Sequence, residues 1–366
     1  MKILQVINTL DTGGAEKLLL ETIPLFNRKG IQMDVLVFER KEGVCLHKLL
    51  ELNCCTIYSL NSKSLYSPLN VFKIVKYLKR YDLLHVHLFP AQYWVILAKI
   101  ISFSKIKLVF TEHSTFNRRR QIFFFRWVDK LIYNKYDKII CISNGVKNEL
   151  INVFKMPLNS LITIENGIDI NKFENAIELN NSDIHELISD NDKLLVQVSK
   201  FRPEKDQATV IKCMIHLPEH FKLLLVGEGS LINESKMLVD ELGLNSRVFF
   251  LGNRNDVERI LKTTDLSILS SHWEGFGLVA VEGMAAGKPV IASNVAGLSE
   301  VVAGAGLLFE KGNSLELANK IKSLLLADNL DDYYKISNKC KIRAKQFDVN
   351  IMIGKSVSLY NDLVNN

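Results

Sequence analysis

The chain has 366 residues, 48% of them hydrophobic and 23% charged, enough for two α/β domains of about 150 to 200 residues with full cores. Its six cysteines include the vicinal pair Cys54-Cys55 and show no Cys-x-x-Cys spacing. They argue against a disulfide frame or zinc site and for reduced core thiols of a cytoplasmic protein. Charge is uneven: residues 1–180 carry 25 Lys+Arg against 16 Asp+Glu and residues 181–366 carry 21 against 24, so the first half should face something anionic.

Only eight residues separate Lys2 from Asp11, and a Gly-Gly turn follows where a signal peptide would have its cleavage site. Ile3–Ile7 therefore reads as a buried strand. Thr12-Gly13-Gly14-Ala15-Glu16 turns into a helix from Ala15 to Arg28. Two glycines let backbone approach a ligand, and a helix amino terminus favours an anion, but a lone Gly-Gly is equally a tight turn. A strand at Met33–Phe38 is followed by helices near 43–52 and 69–80. Leu83–Leu88 is a short strand whose His85 and His87 share one face. With no third ligand evident, they read as structural or acceptor-lining residues in preference to a metal pair.

The apolar run Tyr93–Ile101 is interrupted by Lys99 and falls short of the roughly 18 residues of a membrane span. Leu108–Thr111 is a strand ending in Glu112-His113-Ser114, and His113, just past a strand end, either contacts a ligand or packs. Arg118, Arg119 and Arg120 lead into a segment where Phe123, Phe124, Phe125 and Trp127 interleave with Arg126, Lys130, Lys135 and Lys138. Such a helix can lie in an anionic membrane interface or be a core helix with a solvated basic face. Nucleic acid is disfavoured, since no recognition module accompanies the charge. Lys138–Ile142 is a strand, Ser143-Asn144-Gly145 opens a helix, and Ile162–Glu165 closes the first domain.

Residues 171–192 are polar and acidic and read as a linker. Their Asp190-Asn191-Asp192 precedes a strand instead of following one, which argues against a metal-holding Asp-x-Asp. The second domain begins with the strand Lys193–Ser199, and Lys200, Arg202 and Lys205 stand in the loop that opens the next helix, where cations suit a diphosphate or lie solvated. Leu223–Val226 is a strand with Gly227-Glu228-Gly229 as its turn. Val248–Leu251 is another, with Gly252-Asn253-Arg254. The strand Leu266–Leu269 precedes SSHWEGFGLVAVEGMAAGKPVIA. There Gly275-Phe276-Gly277 opens a helix beginning at Leu278, Glu274 stands at its mouth, and Glu282 lies within it eight residues on. Both carboxylates can reach one ligand from different depths, while a carboxylate at a helix start can equally be a cap. Leu307–Phe309 is a last short strand, followed by helices near 314–326, 331–346 and 350–364.

The Glu-x7-Glu pair, the embedded Gly-Phe-Gly and the trailing Gly-Lys-Pro-Val-Ile-Ala-Ser resemble the signature of retaining glycosyltransferases of family 4. The resemblance covers essentially the whole chain and is looser in the first half. It implies the GT-B fold: α/β, two Rossmann-like domains with parallel sheets facing each other across a cleft. The expected division is 1–170 for the acceptor domain, 171–192 for the linker, 193–346 for the nucleotide-sugar domain and 347–366 for a helix crossing back to the first domain. By the same resemblance Glu274 lies beside the donor sugar and phosphate with Gly275 and Phe276, and Glu282 binds the ribose. Lys205 and Lys200 take the diphosphate, with Gly227, Gly277 and Leu278 supporting the nucleotide by backbone. His113 faces the donor sugar, and Gly13 and Gly14 lie near donor phosphate and acceptor. Lys200 stands where the family usually has Arg, which keeps the charge but loses the fork; Arg202 is the substitute candidate.

The function implied is retaining transfer of a sugar from a nucleotide diphosphate sugar, base unspecified, to a glycan or lipid-diphosphate-linked saccharide in bacterial surface polysaccharide synthesis. No cofactor and no metal are expected. The expected location is cytoplasmic, with peripheral contact to the anionic inner face of the membrane. A sugar-nucleotide epimerase of the same fold and a non-catalytic nucleotide-sugar-binding subunit are the alternatives.

Overall fold

The structure, a computed structural model, describes residues 1–11, 13–326 and 330–365; Thr12 of the expected turn and the side chain of Arg118 lie outside the described residues. The chain forms two compact units, Met1–Asn166 with Val349–Asn366, and Gly167–Asp348.

The first unit holds a seven-stranded sheet of β1 (Lys2–Ile7), β2 (Gln32–Val37), β3 (Ile57–Ser59), β4 (Leu83–His87), β5 (Lys107–Glu112), β6 (Lys138–Cys141) and β7 (Leu161–Thr163). The order is β3-β2-β1-β4-β5-β6-β7, with every pair parallel. The strands are near-continuous apolar runs because helices cover both faces of such a sheet, and all five residues of β4 are buried. The expected strand and helix alternation is what the unit shows, with two additions. The apolar run near Tyr93 is the helix Ala91–Ile101, and β3 is a half-buried three-residue edge strand with too little pattern to read. The expected helix at 69–80 is shorter, Asn70–Val75. The C-terminal helix Val349–Asn365 also belongs to this unit. Its Val349, Met352, Ile353, Leu359 and Tyr360 join the core built on Ile3, Ile7 and the helix Gly14–Arg28, and the Tyr360 and Phe26 rings lie 5.9 Å apart.

The second unit holds β8 (Lys193–Val198), β9 (Phe221–Val226), β10 (Val248–Gly252), β11 (Leu266–Leu269), β12 (Val290–Ser293) and β13 (Leu307–Phe309). They form a parallel sheet in the order β10-β9-β8-β11-β12-β13. Residues 171–192 carry two short helices, Ile170–Glu174 and Asn181–Ile184, and are tied to this unit: Thr263 Oγ1 accepts from Leu179 N at 2.8 Å, and Lys262 donates to Glu174 O at 2.8 Å. Asp192 accepts from the N–H and hydroxyl of Ser189 at 2.8 and 3.1 Å, so the acidic triplet closes a turn.

In each sheet the strand order reverses once, between β1 and β4 and between β8 and β11. In open α/β sheets, ligands bind outside the carboxyl ends of the strands at such a reversal.

Candidate active site

In the second unit, the loops after β8 and β11 flank the reversal point, and the sequence there makes them one structure. Gln197, buried in β8, donates to the Lys205 carbonyl at 2.9 Å and to Ser270 Oγ at 3.1 Å. Ser270 in turn donates to the carbonyl of Asp206 at 2.7 Å, and Gln207 donates to Ser199 Oγ at 2.9 Å and to Lys200 O at 3.0 Å. His272 N donates to Glu204 O at 2.9 Å, while its Nε2 lies 3.5 Å from Asp206 Oδ2. These bonds fix the cationic loop against the loop of Glu274, and Lys205 Nζ forms an ion pair with Glu274 Oε2. Both partners are partly exposed, at 25% and 19%, so the pair is open to a ligand while its backbone is held.

Two glycines set the path of these loops. Gly227 has φ +131°, and a Cβ there would sit 2.2 Å from the Ser199 carbonyl oxygen, so the turn after β9 can press against the cationic loop only without a side chain. Gly277 has φ +91°, and its Cβ would meet Leu298 at 2.5 Å. It precedes the helix Leu278–Ala285, whose first N–H groups and dipole end favour an anion. Glu282 lies inside that helix, 2% exposed. The ring of Phe276 is buried edge-on against Phe347 at 5.3 Å, so it packs the loop in place and only its backbone is available to a ligand. Arg202 lies 3.9 Å from Glu204 and lines a cavity of about 380 Å³ with Glu234, Ser235 and Glu241. Lys205 and Glu274 do not line that cavity. The structure thus brings Lys205 and Glu274 together beside the start of the helix, while Arg202 lines the cavity next to the same loop.

In the first unit, Gly13 precedes the helix Gly14–Arg28 past the end of β1, and His113 follows β5. His113 is half-buried, and burial lowers its pKa to about 4 against the opposing pull of Glu112. His87 Nδ1 lies 3.0 Å from His113 Nε2, and His87 Nε2 lies 2.8 Å from Gln5 Oε1. His85 bonds Tyr360 at 2.7 Å and Thr111 at 2.6 Å. The two strand histidines are therefore hydrogen-bonded core residues, and among the described residues no group of three His, Cys, Asp or Glu side chains is placed to hold a metal.

Arg119 and Arg120 are not part of a solvated basic face. Arg120 is buried, with Nη2 2.7 Å from Glu112 and 3.4 Å from the Tyr133 hydroxyl, and Arg119 stacks 3.5 Å over the Phe89 ring beside the buried Asp129. Neither is a surface cation. The helix after them, Phe123–Tyr133, is amphipathic: Phe123, Phe124 and Trp127 are 82%, 63% and 56% exposed beside the exposed Arg126 and Lys130. Among the described residues no helix is long and apolar enough to cross a membrane.

Sequence reasoning passed over Gln197, Gln207 and Ser270, which hold the cationic loop, and Gln5, which holds His87. The available signal was a glutamine inside each of two otherwise apolar strands, since a buried amide requires partners.

Residues 180–346 match the model of the group 1 glycosyl transferases and residues 12–172 that of glycosyltransferase family 4. The N-acetyl-alpha-D-glucosaminyl L-malate synthase of Bacillus anthracis is 31% identical over 68% of this chain and 66% of its own length. The N-acetylgalactosamine-N,N'-diacetylbacillosaminyl-diphospho-undecaprenol 4-alpha-N-acetylgalactosaminyltransferase of Campylobacter jejuni is 28% identical over 93% of this chain and 94% of its own. Anabaena HepE, solved with UDP and glucose, superposes with a TM-score of 0.86 at 26% identity, covering 99% of this chain and 100% of HepE. The two sheets, the order of their strands and both family matches agree: the chain belongs to glycosyltransferase family 4 and has the GT-B fold.

Proposed function

We propose that the protein is a retaining glycosyltransferase that moves a sugar from a UDP-sugar to a lipid-diphosphate-linked saccharide in the synthesis of a bacterial surface polysaccharide. The observation that carries this is the Lys205–Glu274 pair, held at the sheet's reversal point beside a helix amino end. UDP in the HepE structure and the diphospho-undecaprenol acceptor named for the Campylobacter relative support the choice of substrates.

In this reading the anomeric C1–O bond breaks with its electron pair leaving on the diphosphate. Lys205, Lys200 and the N–H groups at Gly277 and Leu278 take up that charge, so neither a metal nor a cofactor is required. Glu274 stabilises the positive charge growing on the sugar, and Glu282 holds the ribose. Gly13 and Gly14 support the phosphates, and His113 touches the donor sugar. The acceptor hydroxyl enters on the face the diphosphate leaves, its proton passing to the departing phosphate oxygen, so no separate base is needed. The exposed aromatic face of Phe123–Tyr133, with Arg126 and Lys130, docks the protein on an anionic membrane, each basic head contributing about 1 kcal/mol near the surface.

The test incubates the protein with UDP- and GDP-sugars and an undecaprenyl-diphosphate-linked saccharide, reading the product's anomeric configuration by NMR. Transfer with retention supports the reading. Acceptor-independent isomerisation makes the protein an epimerase, and donor binding without hydrolysis or transfer makes it a non-catalytic subunit. For docking, changing Phe123, Phe124 and Trp127 to Ser is expected to release the protein from anionic vesicles. Equal wild-type binding to neutral and anionic vesicles at low salt would refute docking.

A further inference from the structure

Four side chains at the first sheet, Met33, Gln5, His87 and His113, form one chain of hydrogen bonds whose donors and acceptors constrain one another. The Met33 thioether has only lone pairs to offer, so the Gln5 amide nitrogen, 3.2 Å away, faces it and donates. That places Gln5 Oε1 against His87 Nε2 at 2.8 Å, and because a carbonyl oxygen only accepts, Nε2 carries the hydrogen. The reverse chain would turn the Gln5 carbonyl onto the sulfur, acceptor against acceptor.

Burial, and secondarily His85 and His113, hold His87 well below the usual histidine range, so it is neutral and its Nδ1 is a lone pair. That lone pair lies 3.0 Å from His113 Nε2, which must therefore be the protonated nitrogen of His113. His113 is also neutral, its pKa lowered to about 4 chiefly by burial, with Glu112 opposing. Its remaining nitrogen, Nδ1, is then an acceptor, and among the described residues no hydrogen bond engages it. The His85 ring, 4.4 Å from that of His87 and bonded at both nitrogens to Tyr360 and Thr111, keeps His87 from turning.

We propose that Gln5 and His87 are positioning residues that lock His113 in its Nε2-protonated form, so that His113 meets the donor sugar with an accepting nitrogen and selects a hydroxyl there. This rests on the placement of His113 beside the donor sugar proposed above. No atom of Gln5 or His87 need touch substrate; they determine what His113 offers it.

The full chain labelled with 15N-histidine decides the relay without any ligand. Two-dimensional 1H–15N spectra near neutral pH should show His113 and His87 protonated at Nε2, with His113 assigned by the signals lost in His113→Asn. An Nδ1-protonated or averaged His113 in the wild type overturns the proposal. In His87→Phe the lock is gone and His113 should move towards the other tautomer; in His87→Gln, whose amide oxygen can accept, it should return. A His113 tautomer indifferent to His87→Phe also overturns the lock.

The sugar contact is read separately, by calorimetry with UDP-glucose and its monodeoxy analogues. One analogue should bind about tenfold more weakly than UDP-glucose, as loss of one hydrogen bond implies. His87→Phe should erase that difference and His87→Gln restore it. If binding of UDP-glucose and all analogues is independent of His113, the sugar contact is removed and the relay stands.

Discussion

Arg120 offers a sharp test of how this chain uses its charge. Its side chain is 4% exposed, with Nη2 2.7 Å from Glu112, while its Nε and Nη1 have no hydrogen-bond partner among the described residues. Its second carboxylate, Glu149, is 4.0 Å away and 34% exposed. Removing one member of a buried pair costs about 3 to 5 kcal/mol, because the other charge is left uncompensated. In Arg120→Met, Glu112 keeps the Tyr133 hydroxyl at 2.5 Å and the Ser114 N–H at 3.2 Å, so the cost should fall near the lower end, about 3 kcal/mol. For a unit of this size that is a fall in Tm of roughly 6 to 12 °C. In Glu112→Gln the guanidinium, already short of two partners, keeps only the Tyr133 hydroxyl and the distant Glu149, and the cost should be at least as large. The double variant removes both charges and should be more stable than either single one, with non-additivity of at least about 2 kcal/mol. Urea unfolding followed by circular dichroism and thermal melts measure all three. An Arg120→Met protein within about 1 kcal/mol of wild type, or strictly additive costs, would refute the reasoning.

Glu274→Gln is expected to lower kcat about 100-fold while leaving the donor KM unchanged or lower, since it frees Lys205 for the diphosphate; steady-state kinetics showing wild-type kcat removes the carboxylate from the chemistry. Glu282→Gln should instead raise the donor KM, by about 1 to 3 kcal/mol in binding, and an unchanged KM takes it out of the nucleotide site. Stability should fall on acidification, because burial lowers the pKa of His113 to about 4 and that of His85 to about 3, from about 6.5 unfolded. The folded state resists a proton that the unfolded chain accepts, so the contribution is full above about pH 6.5 and is lost from there down towards pH 4, about 3 kcal/mol for His113 alone. A Tm that stays flat from pH 7 to 4.5 contradicts this. Chelator should leave transfer largely intact; loss in EDTA restored by Mg²⁺ or Mn²⁺ would assign the leaving-group role to a metal.

What could be read from the sequence was what lies close together along it. The buried strands are apolar runs, and the segment from Glu274 to Glu282 keeps its chemistry within one loop and one helix, so both were visible without the fold. The surroundings of Arg119 and Arg120 could not be read locally, because they depend on partners elsewhere. Three arginines before an aromatic helix look like a membrane-facing cluster until Glu112 and Tyr133 are seen to hold Arg120 and the Phe89 ring to cover Arg119. Likewise Gln5, His87 and His113 sit on or just after β1, β4 and β5, which sheet order alone brings side by side, and no local pattern announces that they share protons. Gln197 and Ser270 are strangers in sequence but neighbours across β8 and β11.

The C-terminal helix has a consequence for how the protein is made. Tyr360 contributes a fully buried ring to the first unit and a hydroxyl to His85, a contact between residues 275 positions apart. A ribosome that has finished Asn166 has therefore not yet supplied the last wall of the first core. It must add the roughly 180 residues of the second unit first, about 10 to 40 s of synthesis at about 5 to 20 residues per second. During that interval the apolar side of the helix Gly14–Arg28, which will meet Met352, Leu359 and Tyr360, has no cover of its own. The second unit is contiguous and can close as soon as it emerges, so the unit made first is the one completed last.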